Sequence, residues 1–162
     1  MDNILTVAID MLHSEKCSCV ILSEDAAMAS LTAAMPEKER SVSVGCKITI
    51  CRERGVKDLY RILNDSPLLL EGSRIADKVI GKGAAALMAL GKVREVYADV
   101  ISEPALRLLD SAGIPVSYTR LVPNIINRAG TGICPVESIC KDAATAEECL
   151  PLITCFLSSL PS

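Results

Sequence analysis

A chain of 162 residues, half of them hydrophobic, carries enough apolar side chains for one sizeable core and is not a disordered polypeptide. Its net charge of −3, with no basic tail or stripe, excludes a general nucleic-acid binder. With no tryptophan, three tyrosines and one phenylalanine, it offers no base-stacking platform, and its core is expected to be built from Leu, Ile, Val and Ala.

The predicted elements run as follows. Residues 3–13 form an amphipathic helix with Ile4, Val7, Ala8, Met11 and Leu12 on one face. Residues 17–22 are small, apolar and alternating, and read as a strand. Residues 26–35 read as a short helix and 36–40 as a charged, exposed run, so the stretch at about 23–45 is an insertion between two strands. Val42, Val44, Cys46, Ile48 and Ile50 alternate and mark the partner strand. Residues 56–63 have helical spacing, which Asn64-Asp65-Ser66-Pro67 ends.

Residues 75–90 read as one helix closed by Gly91, with Val79, Gly83, Ala86, Leu87 and Leu90 on a single stripe. Lys78 and Lys82 then lie one above the other beside that stripe, in first turns where the helix dipole disfavours cations. Two glycines flank Lys82, each costing about 1 kcal/mol inside a helix. Something other than helix propensity chose these residues, and the stretch points to a site.

Residues 93–101 read as a strand, Ser102 as an N-cap, and Glu103 and Pro104 as the first turn of a helix that stops at Gly113. Residues 114–121 are the next strand, so 93–121 is a βαβ unit with a parallel pair. The front half reads as an antiparallel hairpin, and together they give a mixed sheet with helices on both faces. A polar loop, 123–132, follows; Pro135 sits at a first helical position, and Thr145-x-x-Glu148 is a capping box opening a last helix that Pro151 kinks. The whole, residues 1–162, reads as a single domain.

Residues 1–12 hold Asp2 and Asp10 but no basic n-region and no small-residue cleavage site, so no secretory signal is read there. No apolar run reaches the roughly 18 residues of a membrane span. The expected location is the cytoplasm, with the eight cysteines as reduced thiols. They include no C-x-x-C pair and His13 is the only histidine, so no zinc-site spacing is present. Cys134 stands just before a helix start, where a cysteine is either a reactive nucleophile or a weak N-cap. His13 has no motif around it and reads as a surface residue. Gly81-Lys82-Gly83-Ala84 lacks the spacing and the hydroxyl residue of a phosphate loop, which argues against a nucleotide triphosphatase. Its glycines either serve a site or permit close packing of the helix on the sheet. Asn124, Asn127, Arg128, Thr131 and Gly132 form either a ligand loop at a strand end or a solvated one.

Three stretches together resemble a known bacterial family: Ile75-Ala76-Asp77-Lys78-Val79-Ile80-Gly81-Lys82; Val96-Tyr97-Ala98-Asp99-Val100-Ile101-Ser102-Glu103-Pro104-Ala105-Leu106; and Asn127-Arg128 with Thr131-Gly132-Ile133-Cys134-Pro135. The family is the one called domain of unknown function 1893, and the resemblance spans about 3–157 apart from the insertion. It implies a cytidine-deaminase-like fold, a three-layer α/β/α sandwich with a mixed sheet, and brings no established reaction. Zinc deaminases set a His or Cys with a nearby Glu at one helix start and P-C-x-x-C at the next. Here the first site is similar to Ala76-Asp77-Lys78 and the second to Pro104-Ala105-Leu106-Arg107-Leu108, with Ala105 and Leu108 in the thiolate positions. The resemblance therefore implies a member without zinc or other cofactor.

The expected function is binding of a small anionic or nucleotide-like ligand in a cleft at the start of the 76–90 helix. Lys78 and Lys82 would neutralise the anion, Asp77 would hold a donor group or a lysine, and Cys134 would be the nucleophile. Ser102, Glu103, Asn127, Arg128, Thr131 and Gly132 would complete the binding site. All are expected to converge on one cleft, and Lys82→Ala is expected to abolish binding with little change in stability. The alternative is a non-catalytic ligand-sensing or protein-interaction module, or a purely structural subunit. The expected partner is a small molecule, with no membrane and no general nucleic-acid binding; homo-oligomerisation stays open.

Overall fold

The computed structural model describes residues 3–24, 46–53 and 55–161. The expected helix at 26–35, the charged run at 36–40 and most of the 23–45 insertion lie outside them; Ser23 and Glu24 belong to a strand.

Eleven regular elements follow in order among the described residues: α1 (Asn3–Ser14), β1 (Cys19–Glu24), β2 (Cys46–Cys51), α2 (Lys57–Asp65), β3 (Arg74–Ile80), α3 (Lys82–Leu90), β4 (Glu95–Ser102), α4 (Glu103–Ser111), β5 (Val116–Val122), α5 (Pro135–Ile139) and α6 (Ala146–Ser159). A short 3-10 turn, Pro67–Leu69, precedes β3. The strands make one mixed sheet in the order β2-β1-β3-β4-β5. β1 pairs antiparallel with both β2 and β3, as the expected hairpin requires on the first side. β3, β4 and β5 run parallel, so the chain holds two βαβ units, β3-α3-β4 and β4-α4-β5.

The reading of 75–90 as one helix is corrected here. Arg74–Ile80 is the central strand, and the helix opens only at Lys82, with Gly81 as its N-cap. Ile75, Val79 and Ile80 are β-branched and suit a pleated surface. Gly81 then ends the strand, and the Ala-rich run 84–86 carries the helix. Ala76-Asp77-Lys78 therefore opens no helix.

Alternation along the strands divides the core into two. Val20, Leu22, Ala76 and Tyr97 pack on one side with Leu5, Ala8 and Leu12 of α1. Cys19, Ile21, Ile75, Val96 and Ala98 face the other side, where Leu59, Leu87, Met88, Leu109 and Ile153 of α2, α3, α4 and α6 cover them. Helices thus lie on both faces, and the core is aliphatic as composition demands. Two caps stand where the sequence places them. Ser102 Oγ accepts from Ala105 N at 3.3 Å, and Thr145 Oγ1 accepts from Glu148 N at 3.2 Å. The Glu148 carboxylate accepts from Ala144 N, one residue beyond the usual capping-box partner, the N–H of the N-cap Thr145. Pro151 lies inside α6.

Candidate functional site

The site is built on one cross-strand row. Cys51, Cys19 and Asp77 are register partners on β2, β1 and β3, and Ala98 of β4 continues the row. All point to the face covered by α2 and α3. β1 begins at Cys19 and runs antiparallel to β3, so its pairing with β3 stops at Asp77. Beyond that point Lys78 keeps a single bond toward β1, its N–H donating to Ser18 O at 3.0 Å, and both Lys78 and Val79 are exposed. A cavity of about 960 Å³ opens in the gap. That is at the upper end of the ~300–1,000 Å³ range of small-molecule sites.

Asp77 lies in the wall of this cavity, only 8% exposed. Its Oδ1 accepts from Val79 N at 3.1 Å, and the Cys19 thiol donates to the same carboxyl. Burial outweighs these bonds and pushes the Asp77 carboxyl up from 3.8 to about 7. The neighbouring Cys19 thiol is pushed up too, by its hydrogen bond with Cys51, by burial and by the Asp77 charge. Asp77 is thus a proton donor and acceptor matched to neutral pH, beside a thiol that stays protonated. The cavity walls are largely apolar, through Val56, Leu59, Ile125, Pro135 and Val136, while Lys16, Arg52, Lys57, Lys78 and Arg128 stand on its lining with Glu53, Asp58, Asp77 and Glu137.

Sequence reasoning missed a second buried acid. Glu137, in the first turn of α5, is 3% exposed and joins three elements at the C-terminal edge of the parallel strands. Its Oε1 accepts from the Lys82 N–H at 3.0 Å and from the Ser102 hydroxyl; its Oε2 accepts from the Ile125 N–H. The start of α3 therefore already holds a carboxylate supplied by the chain itself. The available signal was an acid set among the apolar residues Pro135, Val136 and Ile139. An acid in a first helical turn is also the usual surface arrangement, which hid it.

Lys82 departs from expectation. Its ammonium donates to the carbonyls of Lys141 at 3.2 Å and Ala143 at 2.7 Å, in the connection between α5 and α6. The expected neutral effect of Lys82→Ala on stability is corrected accordingly: the side chain ties α3 to that connection. It lines a second cavity of about 630 Å³ with Glu103, Arg107, Asn124 and Lys141. The residues expected in one cleft are thus divided. Asp77, Lys78, Asn127, Arg128 and Cys134 line the larger cavity, Lys82 and Glu103 the smaller, and Glu137 borders both.

Asn127 and Thr131 bond one another across the loop tip, Thr131 N donating to Asn127 Oδ1 at 3.0 Å, while Gly132 O accepts from Asn127 N. These groups hold the turn, in which Gly130 has a φ of +70°. Ser102 faces Glu137, and Cys134 precedes a helix of five residues, too short to add a substantial dipole. Gly83 is explained by packing, though against α5 rather than the sheet: a Cβ there would overlap Val136 Cγ1, while one on Gly81 would come no nearer than 3.3 Å to Ile125 Cγ1. Cys17, Cys19, Cys51, Cys134, Cys140, Cys149 and Cys155 are free thiols, and among the described residues no group of three or more His, Cys, Asp or Glu side chains could hold a metal ion. His13 is exposed and bonds Asp99 at 2.7 Å. No helix among the described residues is long and apolar enough to cross a membrane.

The family described as a domain of unknown function, DUF1893, matches residues 35–157. No curated protein matches. Among solved structures, a DUF1893 family protein from Thermotoga maritima is similar over 96% of this chain and 91% of its own, with 24% identity and a TM-score of 0.74, a likeness of fold.

Proposed function

The chain belongs to the DUF1893 family, whose description assigns no reaction, and from that premise we propose that it binds a small anionic, nucleotide-like ligand in the larger cavity beside the start of α3. One observation carries the reading: a buried carboxyl that titrates near neutral pH, Asp77, stands in the wall of a cavity whose lining sets the exposed Lys78, with Lys16, Arg52, Lys57 and Arg128, against Glu53, Asp58 and Glu137. An apolar ligand body would fill the wall formed by Val56, Ile125 and Val136. Its anionic group would meet Lys78 and Arg128, while Asp77 exchanges a hydrogen bond or a proton with a ring nitrogen or hydroxyl. Cys134, half-buried in the same lining, is the thiol within reach of such a ligand.

The kinship with cytidine deaminases belongs to this proposal, in a zinc-free form. Ala105 and Leu108 are buried apolar residues, and neither can ligate a metal, so no metal-activated water enters the reading. Binding without turnover is the second reading. It is favoured by Lys82 and Glu137, the charged groups at the helix start, which spend their bonds inside the protein.

The test is native mass spectrometry of the purified protein incubated with a metabolite extract. A stoichiometric adduct is expected, weakened at least about tenfold by Lys78→Ala with Arg128→Ala, since each lost charge contact is worth roughly 1 kcal/mol or more. Alkylation of Cys134 is expected to block the adduct. A folded protein that retains no adduct, or one that both treatments leave intact, overturns the assignment.

A further inference from the structure

The smaller cavity lies where the chain leaves the parallel strands. Lys82 comes just after β3, Glu103 follows β4, Pro123 and Asn124 follow β5, and all four line it. Crevices at the carboxyl ends of parallel strands are where α/β sheets bind ligands. Its volume, about 630 Å³, suits a small metabolite. We propose that this cavity is a second binding site, for a small phosphorylated polyol, with Lys82, Arg107 and Lys141 around the phosphate. The proposal does not rest on the reading of the larger cavity.

Lys82 carries the argument. Its ammonium is partly buried and held by two neutral carbonyls, those of Lys141 and Ala143. An ammonium has three donors, so one is left for the cavity. Among the described residues, no carboxylate makes an ion pair with Lys82, Arg107 or Lys141. A partly buried ammonium without a counter-charge is costly, and an anion entering the cavity would offset that cost. Arg107 adds to this from α4. Glu103 stands four residues before it, a spacing that brings opposite charges on a helix together, yet the two make no ion pair.

Three cations line the cavity against two acids, Glu103 and Glu137, which leaves one net positive charge. Glu137 is buried and already accepts from the N–H groups of Lys82 and Ile125 and from the Ser102 hydroxyl. Glu103 is exposed in the first turn of α4. It would accept from a hydroxyl of the ligand, as Asn124 and Ser111 would, and this favours a polyol body over an apolar one. A phosphomonoester carries close to two negative charges at neutral pH and three acceptor oxygens, one for each cation. A carboxylate has one charge and two oxygens, and matches the lining less well.

The isotope-labelled full chain is titrated with glycerol phosphate, inorganic phosphate and glycerate at constant ionic strength, and its amide shifts are followed by NMR. Glycerol phosphate is expected to give saturable shifts at Lys82, Arg107, Asn124 and Lys141. Inorganic phosphate should compete for the same amides, and glycerate should bind about tenfold more weakly or worse. Arg107 and Lys141 are both exposed. The double variant Arg107→Gln with Lys141→Gln should weaken glycerol phosphate by about tenfold or more, whereas Lys78→Ala with Arg128→Ala, on the other cavity, should leave it unchanged. No saturable shift at those four amides, equal affinity for glycerate, or a double glutamine variant that binds like the parent overturns the proposal. If that variant fails to fold, the shift map of the parent decides, and shifts confined to the lining of the larger cavity overturn it.

Discussion

Asp77 makes the stability of this protein depend on pH in a direction opposite to that of most carboxylates. Its carboxyl titrates at 3.8 when exposed and at about 7 in the fold. Between these values the folded chain holds a proton that the unfolded chain has released, so stability falls as pH rises through the window. Below about 4 both states are protonated, and above about 7 both are ionised and the penalty is fully expressed. A shift of this size corresponds to a few kcal/mol. Asp77→Asn keeps an acceptor for Val79 N and removes the buried charge. It is expected to be more stable than the parent at pH 8 by roughly 1–3 kcal/mol and to differ little at pH 4. Urea titrations at both pH values measure this; parallel pH slopes for the two proteins would exclude Asp77 as the titrating group. Glu137 is the other buried acid, with three donors from separate parts of the chain bonded to its two oxygens. It ties the start of α3, the end of β4 and the loop after β5 together, whereas the donors to Asp77 come from its own strand and from Cys19 of β1.

At the scale of elements, the close approach of α3 and α5 decides where the cavity wall stands. Gly83 has no Cβ, and Val136 occupies the space one would take. Alanine favours an α-helix over glycine by about 1 kcal/mol, yet Gly83→Ala is expected to destabilise the protein by about 1–3 kcal/mol because overlap with Val136 outweighs propensity. Val136→Ala should recover part of that loss in the double variant, and a thermodynamic cycle from denaturant titrations measures the coupling. Additive effects would mean the two residues do not touch. Most elements were legible because periodicity and caps agree, as at Ser102, Gly91 and the alternating residues of β2. β3 was not. Asp77 and Lys78 interrupt its apolar run, and a helix begins immediately after Gly81, so the helical stripe extends backward into the strand. That displacement also carried the site. Asp77 and Lys78 were singled out as residues of a helix start, whereas they stand at a strand end where β1 stops pairing. Glu137 and the sharing of Lys82 by two carbonyls depend on contacts between residues 12 to 61 positions apart, which no local pattern reports.

The whole molecule depends on a strand from its N-terminal part. β1 lies between β2 and β3 and, among the described residues, joins them within the sheet. It also feeds both cores, since Cys19 and Ile21 face α2 and α3 while Val20 and Leu22 face α1. All four are at most 3% exposed. Burying each aliphatic side chain is worth roughly 1.5–3 kcal/mol, so the three in β1 approach the ~5–15 kcal/mol stability of an entire domain. Leu5, Leu12 and the rest of the α1 face would be lost with it, and the β3 edge would gain unpaired backbone donors and acceptors. A fragment of residues 45–162 keeps Asp77, Glu137 and both helix starts, yet it is expected to show no cooperative unfolding transition in urea, whereas the full chain unfolds in a single step. The same fragment should lose the pH-dependent stability attributed to Asp77, because without Cys19 and β1 that carboxyl is open to solvent. A cooperative transition in the fragment would show that β3, β4 and β5 with their helices form an independent unit, and that the chain is not one domain.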